Sequence, residues 1–141
     1  MKSSNVNDLA KRESVVGAVA VAIGKERWVI PDGYLPEKSS GDFPSHESTC
    51  VVNTGLEPAD LKFEIFFEDR DPLAGFTFTV PGRRTKHIRL DLLVTQDGQR
   101  IPRGVPYAIV VTSDRPVVIQ HSRMDTSQEA LTLMTTMAYP V

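Results

Sequence analysis

Leu61-Lys62-Phe63-Glu64-Ile65-Phe66-Phe67-Glu68 alternates apolar and charged residues with a period of two. In an extended chain, Leu61, Phe63, Ile65 and Phe67 share one face, while Lys62, Glu64 and Glu68 share the other. That is the pattern of a strand with one buried side. A helix would scatter both sets around its circumference.

Similar β signals recur on either side of this stretch, at residues 27–30, 46–53, 61–68, 76–80, 84–90, 107–113, 116–124 and 131–138. Turn chemistry separates them: Ser39-Ser40-Gly41-Asp42, Thr54-Gly55, Asp71-Pro72 and Asp97-Gly98. Pro81 and Pro116 stand beside strands, where a ladder starts or stops without losing an interior donor. The last segment is ambiguous, because Gln128-Glu129-Ala130-Leu131 could open a helix whereas the later threonines favour a strand. The expected fold is all-β: a two-layer antiparallel β-sandwich of about eight strands, jelly-roll-like.

With 141 residues, 40% of them hydrophobic and 24% charged, the chain suits one globular domain with a real core. Its net charge of -2 does not favour a polyphosphate partner, so any nucleic-acid role needs a local basic patch. The lone Cys50 reads as a small buried hydrophobe, and a single cysteine fits a reducing cytoplasm. Residues 1–13 read as a polar, disordered leader. The apolar run Val15-Val16-Gly17-Ala18-Val19-Ala20-Val21-Ala22-Ile23 is far too short to span a bilayer. As a secretion signal it is also short, and Asp8 and Glu13 interrupt its basic flank. Residues 1–24 are therefore expected to be a flexible extension and 25–141 the folded domain, with no insertion into a membrane.

All three histidines lie in polar strings on β-type segments: Ser45-His46-Glu47, Arg83-Arg84-Thr85-Lys86-His87 and Gln120-His121-Ser122-Arg123. On the second string Arg83, Thr85, His87 and Arg89 share a face. Such a cluster suits an anion or a hydroxyl-rich ligand, or else a charged edge strand that deters aggregation. Along 116–124 both faces change from apolar to polar, which places His121 and Arg123 at a rim, either at a pocket mouth or at a subunit interface. Histidines 41 and 34 residues apart match no zinc spacing, and no metal or cofactor site is expected. No nucleophile elbow or glycine-rich phosphate loop appears, so enzymatic activity is not expected. Trp28, Tyr34 and Tyr107 are candidates for stacking on a sugar ring, with core packing as the alternative for the tryptophan.

Taken together, Trp28-Val29-Ile30-Pro31-Asp32-Gly33-Tyr34-Leu35-Pro36, Ser45-His46-Glu47, Phe66-Phe67-Glu68-Asp69, Val80-Pro81-Gly82-Arg83-Arg84-Thr85-Lys86-His87 and Val118-Ile119-Gln120-His121-Ser122-Arg123-Met124-Asp125 resemble the sensory rhodopsin transducer family. The likeness runs from about Lys25 to Tyr139, with Gly82 standing where alanine is usual. It implies a small, non-enzymatic β-sandwich that forms a homotetramer and signals for a membrane photoreceptor or another protein. It also implies binding of a sugar or related metabolite, with DNA binding as a lesser possibility. Carried over by motif, the ligand-site candidates are Trp28, Tyr34, His46, Glu47, Arg84, His87, His121 and Arg123. The basic strand residues Arg83, Arg84, Lys86 and Arg89 are the candidates for a DNA-associated regulator. An acid–base enzyme using His and Glu is a third reading.

Overall fold

In the computed structural model, residues 21–141 are described. The expected run of short strands is present as β1 (Lys25–Gly33), β2 (His46–Asn53), β3 (Ala59–Phe67), β4 (Leu73–Val80), β5 (Arg84–Arg89), β6 (Tyr107–Asp125), β7 (Thr132–Met137) and β8 (Tyr139–Pro140), with a single 3₁₀ turn at Leu90–Leu92. All pairings are antiparallel. The expectations for residues 1–20, a leader and an apolar run, lie outside the described residues.

Sequence predicts separate strands at 107–113 and 116–124, but the chain forms one strand of 19 residues. Pro116 does not end it because the ladder changes partners there. Residues 107–113 pair with β3 and 107–112 with β1, which also reaches Val117 across a register shift, whereas 118–124 pair with β2 and residues 120–125 with β7. Lacking an N–H, proline is tolerated where one set of bonds stops and the next begins. Local side-chain bonds brace the crossing: the Asp114 carboxylate accepts the Asp60 N–H, and Arg115 donates to the Pro58 carbonyl. The first half of β6 thus belongs to a layer ordered β4-β3-β6-β1-β8. Its second half belongs to a layer ordered β5-β2-β6-β7.

The predicted alternation of β3 is realised, with Leu61, Phe63 and Ile65 buried and Lys62 and Glu64 exposed. They pack with Trp28 and Ile30 of β1, Ile109 and Val111 of β6, and Phe76 and Val80 of β4. The other layer supplies Val51, Ile88, Val117 and Ile119. Each such side chain gains about 1.5–3 kcal/mol on leaving water. The inward face of β2 differs, because it presents Glu47, Thr49 and Asn53 beside Val51, all of them buried. Asn53 is fully engaged: its amide nitrogen donates to the carbonyls of Glu57 and Val80, and its oxygen accepts the Gly55 N–H. The ambiguous last segment is strand. Every residue of β7 is exposed, including Leu133, Met134 and Met137.

Candidate functional site

Register builds the polar cluster at the open end of the sandwich. Directly opposed residues on antiparallel strands point to the same face. Glu47 stands opposite Arg123 and Thr49 opposite His121, so all four side chains face inward. Tyr107, from the other half of β6, reaches the same carboxylate across the core.

Glu47 is the hub. Its Oε1 accepts the Tyr34 backbone N–H at 2.8 Å and Arg123 Nε at 2.5 Å, while Oε2 accepts the Tyr107 hydroxyl. His121 Nε2 lies 3.2 Å from Oε2 without hydrogen-bond geometry, a contact that is ionic only when the imidazole is protonated. Burial pushes the Glu47 carboxyl up, but contacts from His121, Tyr107, the Tyr34 N–H and Arg123 outweigh it and hold the group below its ordinary value. The carboxylate is therefore ionised while fully enclosed. Burial, followed by the Glu47 charge, pushes the Tyr107 phenol up, so it stays a donor. Desolvation works against the Arg123 cation, but Glu47 and Asp32 more than compensate and raise its affinity for the proton.

The cluster meets solvent through Arg123, whose side chain is 20% exposed, and through Asp32, whose side chain is 75% exposed. Arg123 Nη2 and Asp32 Oδ2 are 3.3 Å apart. Asp32 and Tyr107 also border a groove of about 280 Å³ walled by Pro31, Phe66, Phe67 and Pro106. Phe66, 38% exposed, is an apolar surface beside polar groups. Such a combination suits a ring with one hydrophobic and one hydroxylated side. Among the described residues, no three His, Cys, Asp or Glu side chains gather to hold a metal ion.

Of the sequence candidates, Glu47, His121, Arg123 and the backbone of Tyr34 come together. The others do not. Trp28 is in the core with its indole N–H donating to the carbonyls of Lys25 and Val117, so its ring is not a stacking platform. His121 is fully buried rather than at a rim, because Glu47 and the still-paired β2 and β7 enclose that part of β6. His46 points away from Glu47, as strand neighbours must, and its Nδ1 lies 2.8 Å from the Pro44 carbonyl. His87 stands opposite Cys50 and Arg84 opposite Asn53, so Arg84 lies at the far end of β2, about 20 Å along the strand from Glu47. The basic strand is divided too: Arg89 is held by Asp91 at 2.7 Å, Lys86 donates to the Thr79 carbonyl, and Arg83 and Arg84 face elsewhere.

Two cluster members were not among the candidates carried over by motif. Asp32 lies within the Trp28–Pro36 string, but a surface aspartate after proline reads as turn chemistry. Tyr107 was expected as a stacking ring, and only the bend of β6 brings its hydroxyl to Glu47.

The family model described as "Anabaena sensory rhodopsin transducer" matches residues 23–140. Among solved structures, the chain is similar to Thermotoga maritima protein 1070, with 39% identity and a TM-score of 0.76 over 84% of this chain and 96% of that one. It is also similar to the Anabaena sensory rhodopsin transducer, with 38% identity and a TM-score of 0.67 over 77% and 96% of the two chains. No curated protein matches.

Proposed function

Because this chain belongs to the Anabaena sensory rhodopsin transducer family, we propose that it is a non-enzymatic sensor that binds a sugar or sugar acid at the Arg123–Asp32 mouth and relays occupancy to a protein partner in the cytoplasm. A membrane photoreceptor is one such partner, by relation to the Anabaena protein.

The observation that carries this reading is the asymmetry of Arg123. Its Nε is fixed on buried Glu47, while its outer nitrogen meets only the exposed Asp32 carboxylate at the longer distance of 3.3 Å. A ligand carboxylate or vicinal hydroxyl pair takes the place of Asp32, and the guanidinium fork receives it without giving up Glu47. The Phe66 and Pro31 walls take the apolar face of the ring. Occupancy then acts on Glu47, and through it on the Tyr34 segment and both halves of β6.

Oligomer formation accompanies this role. Among the described residues, β7 has one unpaired edge; it exposes Leu133, Met134 and Met137 and continues to the exposed Tyr139 and Val141. A second copy covers such an edge most economically, and a tetramer follows the family pattern. Among the described residues, no helix is long and apolar enough to cross a membrane.

Isothermal titration against a panel of sugars and sugar acids tests the ligand assignment. Saturable heat that disappears in Arg123→Gln supports it, and silence across the panel overturns it.

A further inference from the structure

A second polar site lies at the other end of β2, remote from Glu47. The turn between β4 and β5 places Arg83 and Arg84 beside a cavity of about 270 Å³, which Val52, Asn53, Thr54 and Thr85 complete. Arg83 has φ +56°, the one non-glycine residue with positive φ among the described residues. That left-handed conformation is what glycine or asparagine adopts cheaply, and a long cationic side chain there is strained. Strain retained at a single residue marks a position where the side chain is required for something other than the turn.

The neighbouring groups show what remains free to bind. Asn53 and the Thr85 hydroxyl are committed to backbone partners, and Thr54 Oγ1 lies 2.8 Å from the Ile23 nitrogen. Arg84 uses one nitrogen on the Arg83 carbonyl, which sets its direction and leaves its other donors open. Arg70, Arg89, Arg103 and Arg123 each have a carboxylate within 4 Å. Among the described residues, Arg83 and Arg84 have none, as is true of Arg27, Arg100 and Arg115, but Arg83 and Arg84 also line one cavity together. An anion seated there is attracted by two positive charges.

The geometry points to a binding site for a small phosphate or phosphate monoester, held by Arg83 and Arg84 with its carbon portion against Val52. The volume admits a phosphoryl group with a few carbon atoms. A nucleic-acid backbone instead needs a row of free cations, and here Lys86 and Arg89 are engaged elsewhere. This site is independent of the sugar site, so either assignment stands if the other fails.

Titration with inorganic phosphate and with glycerol 3-phosphate, at constant ionic strength and followed by amide and arginine Nε NMR shifts, tests the assignment. Saturable shifts at residues 52–54 and 83–85 are expected, with half-saturation below about 10 mM. Arg84→Gln and Arg83→Gly each weaken binding at least about tenfold. Arg83→Gly also relieves the backbone, so its melting temperature is unchanged or higher, which separates lost binding from lost fold. Lys86→Gln binds like the parent. Shifts that do not saturate by about 50 mM, or that persist in Arg83→Gly, overturn the proposal. So does a 20-base-pair duplex that binds through these residues with a steep salt dependence while the monoester does not.

Discussion

Replacing Glu47 by glutamine removes one charge and no volume. The amide oxygen still accepts from Tyr34 and Arg123, and the amide nitrogen faces Tyr107 and His121, whose oxygen and ring nitrogen are able to accept. What is lost is the charge opposite Arg123. Breaking a buried ion pair costs about 3–5 kcal/mol, but Arg123 is partly solvated and keeps Asp32, so the expected loss is about 2–3 kcal/mol. With a urea m-value of about 1.7 kcal/mol/M for a chain of this size, the unfolding midpoint falls by about 1.5 M. The buried Trp28 provides the fluorescence signal, read at fixed protein concentration because association shifts apparent stability. The loss depends on pH in a definite sense. The folded Glu47 carboxyl titrates below its ordinary value of 4.5. Its contribution is therefore complete above that value and disappears as pH falls through the lower folded value. The gap between parent and Glu47→Gln narrows correspondingly on the acid side. A loss under about 0.5 kcal/mol at neutral pH, or a gap that stays constant into strong acid, refutes the ionised hub.

Thr49→Val keeps the shape and removes a buried hydroxyl that has no partner among the described residues, so the unfolding free energy is expected to hold or rise by up to about 1 kcal/mol; a drop of more than about 1 kcal/mol means that the hydroxyl is satisfied in solution. Gly33→Ala places a methyl group 2.3 Å from the Tyr107 ring, which cannot retreat without leaving Glu47. A loss of about 2–3 kcal/mol in the same denaturation assay is expected, and a neutral result would show that the ring moves freely. Leu133→Lys with Met137→Lys charges the exposed β7 edge and is expected to yield monomers by light scattering, with the far-ultraviolet spectrum unchanged; assemblies that persist place the subunit contact elsewhere.

Much of the architecture was legible because it rests on period-two patterning. Leu61, Phe63 and Ile65 announce their face, and Glu47 and His46 are separated to opposite faces by adjacency alone. Glu47, His121 and Arg123 could be chosen from polar strings on β segments. Their convergence depends on the β2–β6 register, which no single string contains. The fate of Pro116 illustrates the limit. Proline normally signals a strand end, and only the exchange of ladder partners explains why β6 continues through it. The histidines mislead for the same reason. Local sequence makes His46, His87 and His121 alike, while register sends His121 into the core and leaves His46 and His87 pointing away from it.

The continuity of β6 bears on how this protein is made. Both layers take their central strand from residues 107–125, so during synthesis the β3–β4 hairpin and the β2–β5 pair emerge with nothing between them to complete either sheet. Neither layer closes until Tyr107–Asp125 has left the ribosome. Both layers thus close in one event, and a chain truncated before Tyr107 retains the β3–β4 hairpin and the β2–β5 pair but no strand that joins them.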